Sequence, residues 1–499
     1  MDIFANLAHG FAVALSFQNL LFALIGALIG TAIGVLPGIG PVATISLLLP
    51  ITFGQPATTA IIMLAGIYYG AQYGGSTTAI LLNLPGEISS VVTTLEGYKM
   101  ARNGRAGAAL ATSALGSFFA GSCATLLVAA SGPVLTSVAL SFGPADYFSL
   151  MLLGLIISAV LAQGSVLKSV AMVVTGVALG LVGTDVQTGQ QRFTFGIPEL
   201  SDGLGFAAVA MGMFGIAEII LNLEKPEARS VLKTKVDSLW LTKEEWKRAT
   251  PSVLRGTLVG SVLGILPGGG ASLSAFGSYM MERKISKGRH LFGQGAIEGV
   301  AGPEAANNAA AQTSFIPLLT LGIPSNAVMA LMVGALIIQG IQPGPRMVEA
   351  QPDLFWGLIA SMWIGNVMLL IINLPMIGMW VKLLQVPYKF LYPAILVFCS
   401  IGSYSINNNV FDVYMTVVFA VFGVMCAKLK MEPAPLLIGF VLGPMMEEHL
   451  RRAMLLSRGD PMVFVQRPIS ATMLAIAAVA LIAMLMPNLR KGKEAAMAG

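Results

Sequence analysis

The run Gly34-Val35-Leu36-Pro37-Gly38-Ile39-Gly40 lies inside one apolar stretch and recurs as Gly264-Ile265-Leu266-Pro267-Gly268-Gly269-Gly270 inside another. The offset, 267 − 37 = 230 residues in a chain of 499, predicts a duplicated protein that interrupts a helix at an equivalent place in each half. Pro removes an amide donor and clashes with the preceding turn, while Gly permits left-handed dihedrals and close backbone approach. At membrane depth such an interruption must be covered by protein or line a cavity, because unpaired N–H and C=O groups in hydrocarbon are costly. The interruption is therefore the first place to look for a ligand.

Composition makes the chain a membrane protein. Hydrophobic residues are 56% and charged residues 11% of the chain, where a soluble domain carries about 25% charged residues. Apolar runs at 108–130, 148–162, 166–184, 203–222, 354–372, 410–427 and 469–487 approach or reach the length needed to cross a core about 30 Å thick. They lack the period-two alternation of outer-membrane barrel strands. The expected fold is an all-α polytopic membrane protein of two related halves with discontinuous or re-entrant helices and around twelve transmembrane segments. Residues 1–223 form the first half, 224–250 a cytoplasmic amphipathic linker, and 251–499 the second half with the C-terminal spans.

Net charge of +5 does not point to nucleic acid, because the Lys and Arg residues cluster between apolar runs: at Lys99–Arg105, in the linker 224–255, at Arg283–Arg289, and at Arg490–Lys493. That is the distribution expected of cytoplasmic loops, and it puts the C-terminus inside. The first ten residues contain Asp2 and His9 but no Lys or Arg, so the N-terminal stretch reads as a retained span rather than a cleavable signal. Cys123, Cys399 and Cys426 lie in apolar sequence without paired spacing, as buried small hydrophobes do. Thr242 with Glu245 three residues on forms a capping-box pattern that opens a surface helix in the linker.

Each Pro-Gly turn is followed by a half-helix start, with Thr44 near the first and Ser272 near the second. The exposed amides and positive dipole end of such a start attract an anion, and the carbonyls ending the preceding half-helix suit a cation. A second polar element follows in each half. In the first, Tyr68–Thr78, with Ser76 and Thr77, leads to Asn83-Leu84-Pro85-Gly86-Glu87. In the second, Pro303-Glu304-Ala305-Ala306-Asn307-Asn308 and Gln312-Thr313-Ser314 lead to Gly322-Ile323-Pro324-Ser325-Asn326. Hydroxyls, amides and backbone N–H groups can replace the water around a carboxylate. The same small residues also serve close helix packing. Asn83, Asn307 and Asn308 are harder to assign to packing, since an unpaired amide in hydrocarbon is costly.

Glu87 and Glu304 are the candidates for contacting a coupling cation or carrying a proton, since intramembrane carboxylates usually face a pathway; each could instead cap a helix near water. Lys168 and Glu218 lie near expected cytoplasmic ends and read as snorkelling side chains. His9, His290 and His449 are dispersed, and no grouping has metal-ligand spacing.

Taken together, Gly34–Gly40, Tyr68–Thr78, Asn83–Gly86, Pro267-Gly268-Gly269, and Pro303–Asn308 followed by Leu321-Gly322-Ile323-Pro324 resemble the large permease subunit of the tripartite tricarboxylate transporter family, TctA. The resemblance covers nearly the whole chain. It implies uptake of citrate or other carboxylates across the bacterial inner membrane, driven by a sodium or proton gradient. The implied partners are a periplasmic solute-binding protein and a small membrane subunit of the TctB type. No organic cofactor is implied, and no Walker-type phosphate loop is present. From the residues themselves, the expected substrate- or ion-binding set is Gly38, Gly40, Thr44, Ser76, Thr77, Asn83, Gly86, Gly268, Gly269, Ser272, Glu304, Asn307, Asn308, Thr313, Ser314 and Asn326, with a sodium ion expected near the broken helices. A passive anion channel would use the same helix ends. A membrane enzyme would have only Glu304 with Asn307 to offer, without a nucleophile or metal cluster.

Overall fold

The computed structural model describes residues 3–36, 40–139, 141–162, 165–185, 187–224, 239–266, 268–383 and 391–485. Pro37, Gly38, Ile39 and Pro267, and most of the linker, lie outside the described residues. The first half runs through α1 (Ile3–Ala14), α2 (Phe17–Val35), α3 (Pro41–Phe53), α4 (Ala57–Leu82), α5 (Val91–Met100), α6 (Ala106–Ala139), α7 (Pro144–Leu161) and α8 (Val166–Gly180). A short antiparallel ladder, β1 (Gly183–Thr184) with β2 (Gln191–Arg192), precedes α9 (Phe206–Ala210) and α10 (Ala217–Glu224), which a wider π-type stretch, Met211–Ile216, joins. The second half runs through α11 (Lys243–Ile265), α12 (Gly270–Ile285), α13 (Glu298–Thr313), α14 (Phe315–Leu321), α15 (Ala327–Ile338), α16 (Met347–Ala350) and α17 (Pro352–Asn373). It closes with α18 (Ile377–Leu383), α19 (Leu391–Asn407), α20 (Val410–Lys428), α21 (Ala434–Leu456), α22 (Val463–Gln466) and α23 (Pro468–Leu485).

This is a multi-pass α-helical membrane protein. Six segments among the described residues are long and apolar enough to cross a membrane: Phe17–Val35, Ile88–Gly132, Pro144–Leu161, Phe206–Glu224, Pro352–Asn373 and Val410–Lys428. On α20, Val410, Tyr414, Val417 and Val421 form one exposed apolar row, the surface a helix presents to lipid. The expectation of around twelve crossings is not met by helices of full length. The difference lies in pieces such as Pro41–Thr52 and Ala327–Ile338, which at 1.5 Å per residue reach about 18 Å, little more than half the apolar core.

The duplication is visible in packing. Gly26, Gly30 and Gly34 of α2 lie on the backbone of α4, where an added Cβ would stand 2.2, 2.3 and 2.2 Å from the carbonyl oxygens of Met63, Ile67 and Ala71. Gly256, Gly260 and Gly264 of α11 do the same against Gly302, Ala306 and Ala310 of α13, at 2.1, 2.2 and 2.5 Å. Only glycine lets two backbones approach so closely, the small-residue logic of membrane helix pairs. The α2 and α11 positions are related by 256 − 26 = 230, the spacing of the Pro-Gly turns, and the α4 and α13 positions by 302 − 63 = 239. The second offset continues to the helix ends. Asn83 closes α4 with φ 59° and Gly322 closes α14 with φ 73°, both left-handed, and 322 − 83 = 239. Glu87 and Asn326, again 239 apart, are both extended N-cap residues.

The halves are not copies beyond this frame. α11 and α12 fold back on each other: Gly277 lies against Leu263 and Val259, and Arg255 of α11 pairs with Glu282 of α12. In the first half α3 turns away from α2. It packs instead on Met211–Ile216 and α19, with Leu47 against Gly215 and Pro50 against Gly402.

The linker reading needs correction. The capping box is present, with Thr242 Oγ1 accepting from Glu245 N at 3.2 Å and Thr242 N donating to Glu245 Oε2 at 2.7 Å. The helix it opens does not end at residue 250 but runs through Pro251 to Ile265. Arg248 and Arg255, one turn either side of that proline, each grip a buried carboxylate with two nitrogens: Glu298 at 2.8 and 2.6 Å, and Glu282 at 2.7 and 2.6 Å. Pinned on both sides, the helix carries its proline without breaking.

Candidate functional site

The polar residues of the two halves converge where α4, α5, α6, α13 and α17 pack together. Glu304, on α13, is fully buried. Its Oε2 accepts from Ser76 Oγ of α4 at 2.6 Å and Ser113 Oγ of α6 at 2.9 Å, and its Oε1 accepts from Thr93 Oγ1 of α5. One carboxylate thus ties the second half to three helices of the first. Three other buried acids have cationic partners. Arg255, Arg248 and Arg467 neutralise Glu282, Glu298 and Asp146. Glu96 takes the Tyr279 hydroxyl and the backbone N–H groups of Gly293, Gly295 and Ala296, which anchors the loop leading into α13. No Lys, Arg or His forms an ion pair with Glu304 among the described residues.

Next to Glu304 the asparagines form a chain. Asn308 Nδ2 donates to Ser117 Oγ at 2.7 Å and to Asn307 Oδ1 at 2.6 Å. The Asn307 side chain reaches the Glu304 carboxylate, and Asn308 Oδ1 is left without a hydrogen-bond partner among the described residues. So are both amide atoms of Gln72, one turn before Ser76, and the Tyr73 hydroxyl. All four side chains are buried. An unpaired buried polar atom costs about 1–3 kcal/mol, so a cluster of them needs an explanation that packing does not supply.

A second polar group forms at the second-half turn. Gly268, at φ 77°, donates its N–H to Ser325 O at 2.7 Å. Gly270, where α12 begins, lies beside Asn326, an added Cβ standing 3.4 Å from the Asn326 Cβ. Asn326 caps α15 by accepting from Met329 N at 3.0 Å and donates to Ser314 Oγ at 3.3 Å. The Tyr68 hydroxyl lies beside Ser314 and Asn326, two turns along α4 from Ser76. In the first half Gly86 rests on the end of α2, where a Cβ would stand 2.0 Å from Gly34 O, and Thr78 Oγ1 donates to Val35 O at 2.8 Å.

The remaining residues of the expected set are placed differently. Asn83 is exposed and serves as the left-handed C-cap of α4, so the premise that its amide is buried does not hold. Thr44, Thr77 and Thr313 donate to the carbonyls of Gly40, Tyr73 and Ala309, four residues back on their own helices. Ser272 is half-buried on α12 and Gly269 is buried just before it. Gly38 lies outside the described residues. Gly40 opens α3, and the carboxylate of Glu218 reaches its N–H. Glu218 is therefore not a snorkelling end residue: the α3 start already faces a carboxylate of the protein, whereas the α12 start faces the neutral Asn326. Glu87 is held by its neighbours, accepting from Ser89 Oγ and donating its N–H to Ser90 Oγ at 3.3 Å. Among the described residues no three His, Cys, Asp or Glu side chains come together as a metal-holding group.

Thr93, Ser113 and Ser117 join this polar junction, with Asn366 packed on Gly121 one turn along α6 from Ser117, and none of the four stands out in the sequence reading above. Ser113 and Ser117 stand one turn apart inside the apolar run 108–130, and Asn366 is an amide inside the run 354–372. Both were signals open to the rule that polar groups in apolar spans need partners.

The comparison with known proteins agrees with this architecture. A family model for the tripartite tricarboxylate transporter TctA family matches residues 20–438. The chain belongs to the TctA family. That is a transporter family, and its match spans both Pro-Gly turns and the polar junction. The chain is 59% identical over 494 residues, 99% of its length and 98% of the relative's, to an uncharacterized 52.8 kDa protein in the TAR-I ttuC' 3' region of Agrobacterium vitis. It is 61% identical over 235 residues, 47% of this chain and 97% of the relative, to an uncharacterized protein in the TAR-II ttuC' 3' region of the same organism. No solved structure matches.

Proposed function

We propose that this TctA-family chain is the permease subunit of a binding-protein-dependent secondary transporter that brings a tricarboxylate or related carboxylate across the bacterial inner membrane together with a coupling cation. The observation that carries the reading is Glu304: a fully buried carboxylate without a cationic partner among the described residues, held by hydroxyls from three helices of the opposite half. An uncompensated buried charge is expensive, and a proton or sodium ion arriving there relieves that cost. The ionised carboxylate accepts from Ser76, Thr93 and Ser113. When protonated it can donate to Ser76 Oγ, because Ser76 has a second acceptor in Gln72 O at 3.0 Å. The Ser76 hydroxyl can therefore change direction without moving, and Glu304 can gain or lose charge at little structural cost.

In this reading the anion sits beside the unpaired amides and the second-half turn, near α12 and Asn326, while the cation neutralises Glu304. Loading of the two is mutually favourable, since each lowers the cost of desolvating the other. The α11–α12 hairpin is read as re-entrant, its tip inside the bilayer and its charged base at the cytoplasmic surface. Alternating access follows when the bundle carrying α13 shifts against α4, α5 and α6. A periplasmic solute-binding protein delivers the anion and a small TctB-type subunit completes the assembly, as the family implies.

Flux into proteoliposomes holding both membrane subunits, with imposed sodium or proton gradients and with or without the binding protein, tests this directly. Uphill carboxylate accumulation that needs one of the gradients is expected. Downhill conduction indifferent to both gradients and to the binding protein would make the chain a passive anion channel.

A further inference from the structure

The buried junction holds both kinds of unpaired atom. Gln72 Nε2 and Asn366 Nδ2 are donors without a partner among the described residues; Gln72 Oε1, Asn308 Oδ1, Gln312 Oε1 and Asn366 Oδ1 are acceptors in the same condition. Exchanging N and O in any one amide leaves both kinds present. A bare carboxylate only accepts hydrogen bonds. It can satisfy the amide N–H groups but leaves the amide oxygens unpaired, and each oxygen left so weakens binding by about 10- to 100-fold. A ligand that carries a donor of its own besides the carboxylate satisfies both kinds.

Asn366, like Gln72, has both halves of this problem in one group. It lies on α17, outside the repeated turns, and is fully buried with neither amide atom partnered among the described residues. α6 makes room for it with a glycine: a Cβ on Gly121 would stand 2.7 Å from Asn366 Nδ2 and 3.0 Å from its Oδ1. One turn earlier on the same face of α6, Ser117 accepts from Asn308, and one turn before that Ser113 donates to Glu304. The neighbouring residue on α17, Gly365, lies against the Tyr69 ring of α4. The Asn366 amide thus extends the face that holds Glu304 and Asn308.

We propose that Asn366 reads the substrate, its amide N–H donating to a carboxylate oxygen and its carbonyl accepting from a hydroxyl on the adjacent carbon, so that the preferred cargo is a hydroxycarboxylate. This rests on the carboxylate-permease reading and adds to it a substrate class and a selecting residue. The side-by-side donor and acceptor of one amide match the carboxylate oxygen and hydroxyl of an α-hydroxy acid. An acid lacking the hydroxyl would leave Asn366 Oδ1 as the unpaired partner.

The test compares acids that differ only by that hydroxyl: citrate against propane-1,2,3-tricarboxylate, and malate against succinate. A binding protein would impose its own selectivity, so affinity is read on the purified full-length chain with its small membrane subunit, by calorimetry or thermal shift. Transport is then read in proteoliposomes. The wild type should prefer the hydroxylated acid of each pair by about 10-fold or more. Asn366→Leu should bring that ratio close to one by weakening only the hydroxylated acids. Asn366→Asp, which keeps an acceptor, should retain the preference while weakening all four acids, and it covers the case in which the leucine variant does not fold. Equal affinity of the wild type for both members of each pair overturns the proposal, and so does an Asn366→Leu variant that weakens both members alike, as a merely structural residue would. Failure of all four acids to bind or be carried would instead sink the carboxylate-permease reading.

Discussion

If Glu304 carries the charge that couples transport to a gradient, Glu304→Gln should separate coupling from folding. Gln keeps the shape. Its carbonyl can take the Oε2 position and accept from Ser76 and Ser113, while its NH2 donates to Thr93 Oγ1, so the three bonds survive with one reversed. Hydrogen bonds to a charged group stabilise by about 1.5–3 kcal/mol and neutral ones by about 0.5–1.5, so the variant loses roughly 3–5 kcal/mol of bonding. It also removes an uncompensated buried carboxylate, whose desolvation costs several kcal/mol. The two effects nearly cancel, and melting behaviour should change little. Transport should change greatly. A membrane potential of about 100 mV is worth about 2.3 kcal/mol per charge moved, close to 50-fold in the accumulation ratio for each cation lost from the cycle. The assay is steady-state accumulation of labelled citrate in proteoliposomes under a potassium diffusion potential, alongside exchange of internal for external citrate without a gradient. Accumulation should fall by about 50-fold per coupled cation while exchange persists. A Glu304→Gln variant that accumulates citrate to the wild-type level would refute the coupling role.

Three further outcomes follow from the packing. Gly30→Val and Gly260→Val, equivalent positions, each push a side chain into a carbonyl 2.3 or 2.2 Å from the Cβ site; each should destabilise by about 1–3 kcal/mol or more, read as a lower melting temperature in detergent, and a silent pair would discredit the close helix contact. Arg255→Ala leaves Glu282 buried and unpaired at the base of the α11–α12 hairpin and should cost about 3–5 kcal/mol, whereas replacing both by apolar residues should cost less; equal losses would mean that the pair itself is not what matters. The Gln187 N–H donating to Asp185, with Thr188 and Arg451 beside it, holds the Asp185 carboxyl down to about 2 from its ordinary 3.8. A depressed acid stabilises the fold above its unfolded pKa, so protection of the Gly183–Arg192 hairpin from hydrogen exchange should hold above about pH 4 and fall as pH drops towards 2. Asp185→Asn should abolish that dependence, and an unchanged profile would assign it to another group.

Much of the fold was legible. Composition and run length named a membrane protein. The repeated Pro-Gly turns gave the 230-residue duplication, which the glycines of α2 and α11 repeat position by position. The capping box at Thr242 could also be read from residue type, and so could Glu304, Asn307 and Asn308 as groups that need buried partners, because polar groups in apolar runs carry a local cost that declares itself without a structure. The equivalence of Asn83 with Gly322 was harder to find, since a cap selects for a left-handed backbone rather than for one residue type.

What a linear chain could not say is which polar groups meet. Ser76, Thr93, Ser113 and Glu304 are ordinary residues separated by up to 228 positions, and their bond network exists only because α4, α5, α6 and α13 pack on one another. The same holds for Glu218 at the start of α3, for the departure of α3 from α2, and for Asn366 in the space left by Gly121. Helix-forming tendency, membrane partition and backbone interruption are local free energies, written in the order of residues. Satisfaction of a buried charge or amide depends on neighbours brought from elsewhere in the chain, and only tertiary packing decides it.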